Sequence, residues 1–209
     1  MSNKFIYGYT SFIDGKLSLN GSIMVNSESD SSDTNLNNCY QKLGIAYPKF
    51  FKMDAVSKAG FICSEILLSH IPFIKELKKE HIAVLINSAS GSHDTDVKFQ
   101  ETINSKDSYF PSPGLFVYTL PNIIMGEICI RNGFKGENLC LISEKPDINQ
   151  IFINVSAWLK SGSADICLCG WVEARDNKTS VSLLIVGKDP DKSVAEFTKE
   201  NLKIYFSSC

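Results

Sequence analysis

The residues of this chain with chemistry to offer are its seven cysteines, three histidines and a serine-rich loop. The cysteines (Cys39, Cys63, Cys129, Cys140, Cys167, Cys169 and Cys209) include no CxxC pair and no Cys/His ligand cluster, and most sit inside apolar runs. Reduced, buried thiols are therefore expected rather than a zinc site or a disulfide framework, and no metal or cofactor is expected. Ser88, Ser90 and His93 superficially suggest a Ser/His pair. Serine and glycine clusters are ordinary turn chemistry, however, and neither a third member nor an oxyanion-hole motif accompanies them. The same loop, Ser90-Gly91-Ser92, lacks the GxxxxGK[ST] pattern of a phosphate cradle.

The elements that must position these groups are visible in the hydropathy pattern. Residues 5–12 are an aromatic and β-branched run ending in Asp14-Gly15, which predicts a first strand and a turn. Residues 26–38 are dominated by Ser, Asp and Asn with almost nothing apolar to bury, which predicts an exposed, mobile loop. Val56, Ala59, Gly60, Cys63, Ile66 and Leu67 recur three to four apart and predict a helix over 54–68 with Asp54 near its start. Ile82-Ala83-Val84-Leu85-Ile86 is a continuous apolar run, the signature of a strand covered on both faces, and it leads into a small-residue loop at 87–92. Residues 121–131 read as a nearly all-apolar helix with Pro121 in its first turn, stopped by the glycines at 133 and 136 and buried on most sides. A short strand over 138–143, a helix over 148–160, a covered strand over 164–171 and a last strand over 180–186 follow, and a C-terminal tail is expected after about 187. Strands alternating with helices make this an α/β protein with a layered sheet, one domain over residues 1–209.

Bulk properties narrow the function classes. A chain of 209 residues with 44% hydrophobic content can bury one substantial core. Its formal charge of −2 and pI near 5.9 supply no basic field for nucleic acid. No stretch approaches the roughly 20 apolar residues that span a bilayer. The first residues lack a signal peptide's apolar region and cleavage site, because Gly8, Tyr9 and Asp14 interrupt them. A cytoplasmic protein is expected.

Four stretches, in the right order, resemble the N-terminal half of the β-ketoacyl-acyl-carrier-protein synthases. The first is Phe51-Lys52-Met53-Asp54 leading into a helix, and the second is the strand and loop over 84–101 with Ser90-Gly91-Ser92 and Phe99-Gln100-Glu101. The third and most specific is Leu115-Phe116-Val117-Tyr118-Thr119-Leu120-Pro121-Asn122, continued by Gly126-Glu127-Ile128 and Gly133-Phe134-Lys135-Gly136. The fourth is Ser161-Gly162-Ser163-Ala164-Asp165-Ile166-Cys167-Leu168-Cys169-Gly170, similar to the family's "sGeaDxxlaGG" strand and turn. The resemblance spans residues 5–187 and implies the N-terminal half of a thiolase-like fold, a mixed, mostly parallel sheet covered by helices.

In that family the two catalytic histidines belong to the second half, and His70, His81 and His93 match neither of their motifs. The nucleophile is replaced as well. The family's Gly-Pro-x-Leu-x-Val-Asp-Thr-Ala-Cys-Ser segment puts a cysteine at a strand-to-helix turn, where the helix N-terminus stabilises the thiolate. The matching segment here, Gly136-Glu137-Asn138-Leu139-Cys140-Leu141-Ile142-Ser143-Glu144-Lys145-Pro146, puts Lys145 at the cysteine position. A protonated lysine cannot attack a thioester as a thiolate does, so the chain is expected to have no catalytic residue and no condensing activity of its own. Cys140 is expected to be a packed strand residue rather than a displaced nucleophile, and Lys145 an exposed lysine at a helix start.

The resemblance also implies an interface. The family's helix matching 119–130 lies at a dimer interface, where its apolar side chains reach the partner's acyl tunnel. Leu120, Ile123, Ile124 and Glu127 hold those positions, Leu120 at the tunnel gate, with core packing as the alternative reading. The strand carrying Asn138, Cys140 and Ile142 matches the one that family dimers pair across their two-fold axis, where an open edge seeks a partner. Lys49 and Lys52 flank Phe50-Phe51 near where some members meet the acidic acyl carrier protein; solvated lysines are the alternative. The expected role is a non-catalytic, chain-length-factor-like subunit. It would pair with a complete ketosynthase, or with a second copy of itself, in fatty-acid, polyketide or aryl-polyene-type synthesis. The alternative is a free-standing binder of a small acyl or CoA ligand, or an enzyme of a different reaction type.

Overall fold

In the computed structural model, which describes residues 3–104, 106 and 109–209, the apolar runs become strands of one eight-stranded mixed sheet. In chain order the elements are β1 (Phe5–Ile13), β2 (Lys16–Leu19), β3 (Ser22–Asn26), α1 (Ser32–Lys42), α2 (Ala55–Ser69), β4 (Ile82–Ser88), α3 (His93–Glu101), α4 (Pro113–Phe116), α5 (Ile123–Asn132), β5 (Asn138–Ile142), α6 (Ile148–Ser161), β6 (Ile166–Arg175), β7 (Lys178–Gly187), β8 (Ala195–Glu196) and α7 (Lys199–Tyr205). The strand order is β3-β2-β1-β7-β6-β4-β5, and β8 pairs the first residues of β1.

The sheet is mixed as expected, but parallel pairing is confined to β4 with its neighbours β5 and β6. Turn chemistry explains why the rest is antiparallel. Asp14-Gly15 joins β1 to β2 and Asp176-Asn177 joins β6 to β7, all four residues at positive φ. Two-residue turns of that kind can connect only antiparallel strands.

Helices cover both faces. On one side α1, α2 and α5 pack over a cluster that includes Phe12, Leu36, Phe50, Phe61, Ile62 and Ile128. On the other, α6 and the C-terminal residues Phe197, Leu202 and Phe206 pack over Leu85, Cys167, Cys169 and Leu184. β4 is buried at every residue, as its unbroken apolar run requires of a strand covered on both faces. Within the first layer α2 and α5 touch closely, because a Cβ on Gly60 would fall 2.0 Å from Ile124 Cδ1.

Three expectations need correction. The polar stretch 26–38 is not a mobile loop: only 27–31 stay irregular before α1 begins. Leu36, Cys39 and Tyr40, spaced three and four apart, are buried against the core, Ser31 caps the helix start by accepting from the Thr34 N–H, and Lys58 reaches up to Asp33. Tertiary packing of a three-residue apolar stripe outweighs the turn-forming composition around it. The segment after 187 is not a tail, because β8 adds to the sheet and the Phe197 ring stacks on Phe152 at 5.4 Å. Finally, α5 begins at Ile123 rather than 121; as expected it is covered on most sides, with Ile130 and Arg131 exposed at its end. Among the described residues no helix is long and apolar enough to cross a membrane.

Candidate functional site

Parallel pairing brings the C-terminal ends of β4 and β5 out side by side, and the turn at 143–147 leads from β5 into α6. Asn87, wholly buried at the end of β4, holds that turn. Its Nδ2 donates to the Leu141 carbonyl (3.1 Å) and to Ser143 Oγ (2.8 Å), and its Oδ1 accepts from the Asp147 N–H (2.7 Å). Lys145 sits in the turn, exposed, on an open cleft of about 610 Å³ that Lys199, Glu200 and Lys203 also line. The N-terminus of α6 is already occupied: Asp147 accepts from the Gln150 N–H at 3.0 Å, so a carboxylate fills the positive end of the helix dipole. Cys140 is half-buried with its sulfur 3.5 Å from the Pro121 carbonyl, and burial pushes its thiol above the usual range, the opposite of what a nucleophile needs. Among the described residues no cluster of acids, histidines and cysteines could hold a metal ion.

Leu120 and Ile142 are each 56% exposed. The loop at Gly91 links them, because a Cβ there would lie 2.8 Å from Pro121 Cβ and 3.4 Å from Ile142 Cδ1. Among the described residues β5 pairs with β4 alone and is the last strand of the sheet, so its outer edge, running from exposed Asn138 past half-buried Cys140 to Ile142, presents backbone groups without a partner strand. Ile123 is half-buried against the core. The structure thus joins Leu120, Pro121, Cys140 and Ile142 into one face.

Two residues expected on that face lie elsewhere. Ile124 is only 1% exposed and fills the space left by Gly60. Glu127 is also 1% exposed: Lys49 Nζ lies 2.8 Å from its Oε1, and the Tyr118 hydroxyl donates to the same oxygen at 2.9 Å. A carboxylate in the interior must be paired and hydrogen-bonded, so Glu127 is committed inward and draws Lys49 with it. Burial, with the Glu127 hydrogen bond and charge adding to it, pushes the Tyr118 phenol well above its usual range. Lys52 remains exposed on a separate cleft of about 340 Å³ with Asp54, Ser92 and Lys98. Ser88 and Ser90 make no pair with His93; both hydroxyls donate instead to Glu173.

At the level of sequence no protein-family model and no curated protein matches this chain. Solved structures do match. One is the ishigamide ketosynthase/chain length factor, with TM-score 0.65 and 12% identity over 92% of this chain and 64% of that one. The fold is the thiolase-like fold of ketosynthases and chain length factors. A type II acyl-carrier protein in complex with its hexaketide-bound ketosynthase matches at TM-score 0.63 and 12% identity, over 91% of this chain and 64% of that one. A ketosynthase in complex with its chain length factor from Xenorhabdus doucetiae matches at TM-score 0.59 and 10% identity, over 98% of this chain and 90% of that one. The chain therefore spans slightly under two thirds of the length of the first two. On this thiolase-like fold the residues that sequence reasoning missed are Asn87, Tyr118 and Glu173. Glu173 had a signal, an acid directly closing the apolar run 166–172, whereas Tyr118 looked like one more apolar residue beside α5.

Proposed function

We propose that this chain is a ketosynthase-like subunit without condensing activity of its own, working in the manner of a chain length factor beside a complete ketosynthase. The observation that carries the reading is the turn between β5 and α6. Matched to the family's pattern, this turn has Lys145 in place of the thiolate, and Asp147 caps the helix whose dipole would stabilise such a thiolate. The open edge of β5 and the adjoining Leu120 and Ile142 are the surface on which the ketosynthase sits. The setting is cytoplasmic synthesis of a fatty acid, polyketide or aryl polyene. Any contact with an acidic carrier protein falls to Lys52 rather than to Lys49, which Glu127 holds.

A second reading, a small acyl or CoA-ligand binder, draws on the cleft beside Lys145, where Lys199 and Lys203 could meet an anionic ligand. One experiment separates the two. The tagged chain is recovered from its native cells and its subunits are counted by light scattering. A ketosynthase in a fixed ratio supports the subunit reading, whereas a lone monomer carrying an acyl ligand, or a homodimer without any ketosynthase, overturns it.

A further inference from the structure

Four donors converge on Glu173, near the end of β6. Its Oε2 accepts from Ser88 Oγ (3.0 Å), the Ala89 N–H (2.7 Å) and the Ser90 N–H (3.0 Å), and its Oε1 accepts from Ser90 Oγ. Successive backbone N–H groups with flanking hydroxyls make an anion-binding concavity, and here the protein's own carboxylate fills it. The loop fixed in this way passes the constraint on. Ser88 Oγ also accepts from the Gly91 N–H at 3.1 Å. Gly91, at φ 55°, packs under Pro121 and Ile142, with no room for a side chain against Pro121. Ser92 Oγ donates to the Thr119 carbonyl at 2.8 Å. A continuous set of contacts therefore runs from an interior strand through 88–92 to both sides of Leu120.

We infer that Glu173 is a positioning residue for the Leu120–Ile142 face: it locks the 88–92 loop, and the loop sets the place of the 119–121 segment against β5. β6 pairs with β4 as far as Trp171 and with β7 through Glu173 to Arg175, so Glu173 stands on a hydrogen-bonded ladder, whereas the face it positions lies at the sheet's last strand. The assignment of that face to a ketosynthase rests on the function proposed above; the mechanical link from Glu173 to Leu120 does not.

Hydrogen exchange on the intact chain tests the link without a partner. Glu173→Gln keeps the volume but turns an amide group toward donors. Losing charge-assisted hydrogen bonds should speed exchange at 88–92 and at 118–120 by at least about tenfold, with the β6–β7 ladder unchanged. Ser92→Ala, which keeps the Glu173 clamp, should speed exchange at 118–120 and leave 88–90 as they were. Wild-type rates at 118–120 in Glu173→Gln overturn the inference; if that variant fails to fold, wild-type rates at 118–120 in Ser92→Ala overturn it instead. Affinity for the ketosynthase recovered with the wild-type chain is then compared for Glu173→Gln and Leu120→Asp. Both should weaken pairing about tenfold or more. If Leu120→Asp alone weakens it, the role of Glu173 in pairing falls. If Leu120→Asp pairs like wild type, the partner-face reading falls, and the exchange data alone decide the link.

Discussion

Replacing Asn87 by alanine should damage the turn that carries Lys145 far more than a surface change would. The Asn87 side chain is wholly buried and bridges three points: the Leu141 carbonyl, Ser143 Oγ and the Asp147 N–H. In Asn87→Ala the Asp147 N–H loses its partner beneath a half-buried turn, the Ser143 hydroxyl loses one, and the Leu141 carbonyl keeps only its place in the β4–β5 ladder. A net intramolecular hydrogen bond contributes about 1 kcal/mol, and an unsatisfied buried group costs about 1–3 kcal/mol. One stranded N–H and two lost hydrogen bonds therefore add up to about 3 kcal/mol. For a chain of this size each kcal/mol moves the midpoint about 2–4 °C, so thermal unfolding followed by circular dichroism should show a fall of about 6–12 °C. Asn87→Asp should recover little. It restores an acceptor for Asp147 but sets a second oxygen against the Leu141 carbonyl, where a donor is needed. A midpoint for Asn87→Ala within about 1 °C of wild type would refute the reasoning, because it would mean that solvent or a local shift replaces these bonds at no cost.

Three further outcomes follow from the same geometry. Lys145→Cys should gain no condensing activity and should alkylate with the pH profile of an ordinary thiol, whereas adding Asp147→Ala should move that profile to lower pH by freeing the helix end; identical profiles would contradict the capping argument. Burial raises the Cys39 and Cys129 thiols from 9.0 to about 11. The unfolded chain therefore releases those protons first, so the stability these two thiols contribute should be constant below about pH 9 and fall between about 9 and 11, a difference that urea titrations of the wild type and of Cys39→Ser/Cys129→Ser at successive pH values would reveal. Ending the chain after Gly187 removes three buried side chains, Phe197, Leu202 and Phe206. At about 1.5–3 kcal/mol each, that loss is comparable to the whole stability of a domain, and the truncated protein should be insoluble or molten by near-ultraviolet circular dichroism.

What could be read from the sequence followed from local order. β4 and α2 were legible because an unbroken apolar run and a three-to-four spacing each have one easy structural solution, and Asp54 does cap α2 by accepting from the Ser57 N–H at 3.1 Å. The turn that carries Lys145 was legible between the strand read over 138–143 and the helix read over 148–160, and the chain builds it there, between β5 and α6; only its match to the family's cysteine turn came through resemblance. Other features depended on partners distant in sequence. α1 holds because Lys58 and the core receive it, and the only local sign within 32–42 is the short stripe of Leu36, Cys39 and Tyr40 in a polar background. Glu127 occupies a helix position that in projection could point either way; Lys49 and Tyr118, 78 and 9 residues from it, decide that it points inward. The parallel share of the sheet was overestimated because covered strands look alike whichever way they run, and only the two-residue turns give the direction away.

The sheet's connectivity also bears on how the protein is made. β1 finds its strand neighbours in β2, immediately after it, but also in β7 and β8, at residues 178–187 and 195–196. At about 5–20 residues per second, roughly 10–40 s pass on the ribosome between synthesis of the first strand and of the strand that completes its pairing. During that interval Ile6, fully buried in the finished protein, lacks Val186 and Phe197 of its own layer. The nascent chain should therefore depend on a chaperone that shields its N-terminal strand, and slowing translation should lower its soluble yield more than that of a helical protein of equal length.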